Sequence, residues 1–145
     1  MPSARNSVRI GRPVAEVFAF LADGENELKW RPGVKEMHRE GGAPGVGTIY
    51  RQKLDGPMGR TIPGDVEITE FESDRAIGFR VIAGPVRPSG RYEVEPAEGD
   101  STLVTFSLEA TLSGLKKTMN GMIQKTMDGE VAALANLKRV IEEGS

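Results

Sequence analysis

Between Thr48 and Leu112 apolar and polar residues alternate in short runs punctuated by Gly, Pro and Asp. Alternation places every second side chain on one face, so these runs predict half-buried strands. The strands expected are Thr48–Leu54, Arg60–Phe71, Ala76–Ala83, Val86–Pro96 and Thr102–Leu112, with Asn6–Ile10 and Val34–Glu40 before them. Turn signals separate them at Asp55-Gly56-Pro57, Ser73-Asp74-Arg75, Gly84-Pro85 and Glu98-Gly99-Asp100. Pro63-Gly64 interrupts its run; proline cannot donate to a ladder, so a bulge or a sheet edge is expected there. Between the first two strands, Gly11-Arg12-Pro13 opens a helix with Pro13 in its first turn. Val14, Val17, Phe18 and Leu21 form its apolar face. Asp23-Gly24 ends it, and Glu25–Trp30 is a second short helical turn stopped by Pro32-Gly33.

From Leu115 to about Glu143 the repeat changes to that of a helix. At about 100° per residue, Leu115, Met119, Met122, Ile123, Met127, Leu134, Leu137 and Ile141 fall on one side. Lys117, Gln124, Asp128, Arg139 and Glu142 fall on the other. One long terminal helix can bury such a stripe only against the sheet that precedes it. The expectation is an α+β fold in which a curved antiparallel sheet closes on one helix and leaves a cavity between them. Met119, Met122 and Met127 supply flexible, polarizable side chains that suit either an irregular core or ligands of varied shape. Gly121 and Gly129 weaken the same stretch, through a need to bend or through close packing.

Composition narrows the classes of function. A chain of 145 residues is expected to form a single domain over 1–145 with a real core. The net charge of −2 carries no basic stripe for nucleic acid and no polybasic membrane patch. There is no cysteine, which excludes disulfides, thiolate metal sites and a cysteine nucleophile. The Met1–Ile10 stretch lacks the apolar core of a signal peptide, and no apolar run is long enough to span a bilayer. A cytoplasmic protein without stable membrane insertion is therefore expected. The sheet edge and the strand near Pro63 leave room for a homodimer.

Three segments carry a resemblance to a known family. They are Pro13-Val14-Ala15-Glu16-Val17-Phe18-Ala19-Phe20-Leu21-Ala22-Asp23 with Trp30-Arg31-Pro32-Gly33-Val34, then Val46-Gly47-Thr48, then Ala135-Asn136-Leu137-Lys138-Arg139. Together they resemble the SRPBCC superfamily (START-like, Bet v 1-like), and within it the polyketide cyclase/dehydrase and lipid-transport type. The resemblance covers essentially the whole chain. It implies a helix-grip fold: a seven-stranded antiparallel sheet around the C-terminal helix, with two short helices between the first two strands. It does not choose an activity.

Candidate chemistry is sparse. The one histidine, His38, is expected to point outward if Val34 and Met37 both face inward across an irregular strand start. A histidine-rich zinc site is excluded, no phosphate loop occurs, and no cofactor is called for. Alternation aims Tyr50, Gln52 and Leu54 to one face, then Phe79 and Val81, Tyr92 and Val94, and Val104, Phe106 and Leu108. If these faces line the cavity, Tyr50, Gln52 and Tyr92 are its polar handles, or each bonds only to backbone. The contacts expected for a small hydrophobic ligand are Met37, Tyr50, Gln52, Phe79, Tyr92 and Phe106 from the sheet. The helix would add Met119, Met122, Ile123 and Met127. Glu130 falls amid the apolar stripe of the helix, where desolvation raises a carboxyl pKa unless a cation pairs with it. It is a candidate general acid or base beside Tyr50 and Tyr92, or the partner of a sheet arginine such as Arg80 or Arg91. Three functions fit: binding of a lipid-like or polyketide-like molecule, a polyketide cyclase or dehydratase, or a protein-interaction module with a filled core.

Overall fold

The computed structural model describes residues 2–84, 86–110 and 120–144. The chain begins with strand β1 (Ser3–Ile10), helix α1 (Val14–Ala22) and a 3-10 turn (Gly24–Lys29). It continues through β2 (Val34–Glu40), β3 (Ile49–Asp55), β4 (Thr61–Pro63), β5 (Val66–Glu72), β6 (Ala76–Val81), β7 (Ser89–Ala97) and β8 (Ser101–Glu109). It ends in α2 (Asn120–Ala132) and α3 (Leu134–Glu143). Seven strands form one curled antiparallel sheet in the order β1-β8-β7-β6-β5-β3-β2. The short β4 pairs with β3 alone. The run expected as one strand from Arg60 is therefore two, split where Pro63 removes a donor. Pro13 sits one position earlier than expected, as the extended residue before α1. β1 starts at Ser3, three residues before the expected start, because its N-terminal half pairs with β8 as well.

Both outer edges of the sheet are covered by side chains. Along β1, Gln124 accepts from the Ser3 N–H and donates to its carbonyl. Asn6 donates to the Val131 carbonyl at 3.0 Å, and Lys138 donates to the Arg9 carbonyl at 2.8 Å. On β2, Glu25 accepts the Arg39 N–H at 3.0 Å. Unpaired strand edges otherwise invite further pairing, and here the helices occupy them.

The register of β2 shifts between Val34 and Glu36. That bulge lets Val34 and Met37 both face inward, buried, while His38 is exposed beside Glu36.

The C-terminal helix is described from Asn120, so its expected first turns at 115–119, including Met119, lie outside the described residues. It is interrupted once, at Ala133, where the Ala133 N–H bonds the Glu130 carbonyl in a tightened turn. The break is not at Gly121 or Gly129; an added Cβ at either would meet nothing within 4 Å, so close packing does not require these glycines. Ile123, Met127, Val131, Leu134, Leu137 and Ile141 are buried, each worth roughly 1.5–3 kcal/mol. The two halves of this stripe have different tasks. Leu134 and Leu137 in α3 are fully enclosed core, whereas α2 turns Ile123, Thr126, Met127 and Glu130 toward open space.

Candidate functional site

A cavity of about 620 Å³ lies between the inner face of the sheet and α2. The filled core of the interaction-module expectation is thus not what the chain builds. Its walls are mostly apolar. Phe79, Tyr92 and Phe106 form an aromatic floor, with Tyr92 stacked on Phe106 at 4.4 Å between ring centroids. Trp30 meets the edge of Tyr92 at 6.2 Å. These rings share a face because β6, β7 and β8 are neighbours in register: Phe79 opposes Gly90, and Tyr92 opposes Phe106.

One end of the cavity is polar and is organised around Arg31, in the loop before β2. Its Nε donates to Glu130 Oε2 at 2.9 Å, and Nη2 lies 2.8 Å from the same oxygen. Nη1 donates to Glu27 Oε2 and to Gln52 Oε1, both at 3.1 Å. Tyr92 closes the cluster by donating to Glu27 Oε1 at 2.7 Å. Burial works against the Arg31 charge, but Glu27 and Glu130 outweigh it and hold the guanidinium more firmly protonated than usual. Burial, and then the charge of Glu27, push the Tyr92 phenol well above its ordinary pKa. Tyr92 therefore enters the site as a neutral hydrogen-bond donor, already committed to Glu27.

The residues singled out from the sequence fall into distinct places. Met37, Phe79, Tyr92, Phe106, Ile123 and Met127 all line the cavity. Met122 also reaches it but is 65% exposed, so it stands at the mouth and not inside the apolar stripe. Tyr50 lines the wall with its ring, while its hydroxyl turns to backbone. It accepts the Gly24 N–H at 3.1 Å and donates to the Ala22 carbonyl at 3.4 Å. The ring lies so close to Gly24 that a Cβ there would come within 2.7 Å of it. Gln52 is buried and satisfied, donating to the Gly64 carbonyl at 2.7 Å as it accepts from Arg31.

Glu130 does find an arginine, but not one of those expected. Arg80 pairs with Glu67 at 2.6 Å, and Arg91 pairs with Glu70 and Glu93. Both lie on the outer face of the sheet, because each follows or precedes an inward residue, Phe79 or Tyr92. The partner is Arg31, 99 positions away in the chain. Arg31 and Glu27 carried no role in the sequence reading. Their i, i+4 spacing was visible, yet that spacing ordinarily marks a solvated surface pair. The position of Arg31 between Trp30 and Pro32, at the end of a short helical turn, was the only further signal.

The chain belongs to the polyketide cyclase / dehydrase and lipid transport family, whose model matches residues 1–142. Solved structures share the fold. The chain is 21% identical to TTHA0849 from Thermus thermophilus, with a TM-score of 0.80 over 99% of each chain. It is 16% identical to a START superfamily protein from Mycobacterium smegmatis, with a TM-score of 0.72 and 99% of each chain covered. It also resembles the di-domain ARO/CYC StfQ from the steffimycin biosynthetic pathway at 11% identity and a TM-score of 0.76. There, 99% of this chain covers 51% of that one. No curated protein sequence matches the chain. Among the described residues, no helix is long and apolar enough to cross a membrane, and no group of acidic or histidine side chains is arranged to hold a metal ion.

Proposed function

We propose that this protein binds a small hydrophobic molecule, lipid-like or polyketide-like, in the cavity between the sheet and α2. The observation that carries this reading is the cavity itself: about 620 Å³ of space with apolar walls and polar groups gathered at one end. Apolar surface brought into contact with such walls contributes about 25 cal/mol per Å² removed from water. Phe79, Phe106, Ile123 and Met127 are the proposed apolar contacts, and Met122 the contact at the mouth. A second reading, cyclase or dehydratase catalysis, is supported by Tyr92 and Glu130 lining one cavity and by the family's description. In it Glu130 serves as acid or base and Tyr92 polarises a carbonyl by turning its hydroxyl from Glu27 to the ligand, while the Tyr50 hydroxyl holds the wall in shape.

The test is titration with N-phenyl-1-naphthylamine, an uncharged dye that fluoresces in apolar surroundings. Saturable binding is expected with a Kd on the order of 1–10 μM. Val66→Phe, which adds bulk to the cavity wall, should weaken it about tenfold or more while circular dichroism stays native. A dye that does not bind, or binds the variant equally, sinks the cavity reading.

A further inference from the structure

The polar end of the cavity has an unusual charge balance for a site that would hold a fatty acid or another organic anion. The charged residues among its described lining are Glu27, Asp55 and Glu130 against Arg31 alone. Among the described residues no lysine or histidine joins them. Every nitrogen of the Arg31 guanidinium already has a protein partner: Nε and Nη2 on Glu130, Nη1 on Glu27 and Gln52. Asp55, at the mouth, has Lys35 at 3.6 Å, but Lys35 does not reach the lining.

Apart from the remaining Nη2 N–H of Arg31, the capacity that is left is for accepting. Glu130 Oε1 receives no hydrogen bond from the described residues, and each Glu27 oxygen receives one. A carboxylate oxygen takes about two. The Tyr92 oxygen donates to Glu27 and accepts from none of the described residues. A ligand arriving here meets mainly oxygen lone pairs, in a cluster of two carboxylates and one guanidinium that carries an excess negative charge. Low-dielectric walls make that excess felt strongly.

We propose that the cavity selects an apolar molecule whose polar end is an uncharged hydrogen-bond donor, an alcohol or phenol hydroxyl, and excludes the carboxylate of the same skeleton. This rests on the cavity reading above. The hydroxyl donates to Glu130 Oε1, its hydrocarbon lies on the Phe79–Tyr92–Phe106 floor, and Arg31 serves to hold the acceptors in place. A bound carboxylate would instead either add a third negative charge beside Glu27 and Glu130, sharing the last Nη2 N–H of Arg31, or displace Glu130 from Arg31 and leave that side chain unpaired beside the cavity.

The experiment displaces N-phenyl-1-naphthylamine from the full chain with 1-decanol and with decanoate, one hydrocarbon with two ends, near neutral pH. Decanol should compete at least about tenfold better than decanoate. Glu130→Gln, which removes the excess charge, should bring the two ligands closer by raising decanoate affinity. Dye that binds but is displaced equally by both, better by decanoate, or by neither, overturns the selectivity and leaves the cavity reading standing. An unchanged ratio in a folded Glu130→Gln overturns the assignment to Glu130. Dye that never binds removes the cavity reading, and with it this one.

Discussion

Arg31 and Glu130 meet through two nitrogens on one carboxylate oxygen, at 2.9 and 2.8 Å, and so tie the loop before β2 to the cavity face of the C-terminal helix. The contact spans the polar end of the cavity. It is also what keeps a glutamate within an apolar stripe: the guanidinium supplies the charge that the walls do not.

Removing Arg31 should be costly. Arg31→Met leaves Glu27 and Glu130 near each other without a cation and strips Gln52 of a donor. The expected loss is about 3–5 kcal/mol, since one partner of a largely buried ion pair is deleted. Glu130→Gln keeps an acceptor for Arg31 and should cost only about 1 kcal/mol. Urea unfolding of both variants checks this. An Arg31→Met variant as stable as the parent would mean the cluster does not hold the helix.

Acid should unfold the protein through specific carboxylates. Burial raises the Asp65 pKa, but hydrogen bonds from Arg51 and the Gln52 N–H outweigh it and leave the group below its ordinary value. The Arg91 hydrogen bond lowers Glu70, and those from Lys138 and the Gly11 N–H lower Glu142. Each folded-state pKa lies below the unfolded one, so the folded chain binds fewer protons in that interval. The stability they add is full above the ordinary carboxylate range, from about pH 5, and is lost as pH falls below that range through the depressed folded-state values. Midpoints of thermal unfolding against pH should show this acid limb, and Asp65→Asn should make it shallower.

Two glycines should respond to alanine with opposite signs. Gly129 sits in α2 with helical backbone and nothing within 4 Å of an added Cβ, so Gly129→Ala should add about 0.5–1 kcal/mol. Gly24→Ala drives a methyl into the Tyr50 ring and should cost about 1–3 kcal/mol. Melting temperatures of the pair decide it; a stabilising Gly24→Ala would contradict the contact.

Much of the site's wall could be read along the chain. A period of two put Tyr50 and Gln52 on one face and Tyr92 on another, and the same rule places Arg91 and Arg80 outside. Applied strictly, it would have removed both as partners for Glu130. The angular position of Glu130 on the helix was also legible. The fate of the Tyr50 hydroxyl was not, because its partners, Gly24 and Ala22, belong to a segment whose approach to β3 depends on how α1 and the 3-10 turn pack.

The amino-acid sequence by itself determined the order of strands and helices and the inward faces, though not the splits at Pro63-Gly64 and Ala133, because strand and helix periods are local properties of neighbouring residues. The helix-grip architecture followed, since the terminal stripe had one surface to bury against. Tertiary structure alone decided what the polar groups do. Glu27 and Arg31 are neighbours across one short turn, but Gln52, Tyr92 and Glu130 lie on separate elements, and only the packing of that turn and of α2 against the curled sheet brings all five within hydrogen-bond reach. The same closure decided that the first half of the helical stripe borders a cavity while the second half is core: both helices pack along β1, and α2 alone also borders the open space over the sheet.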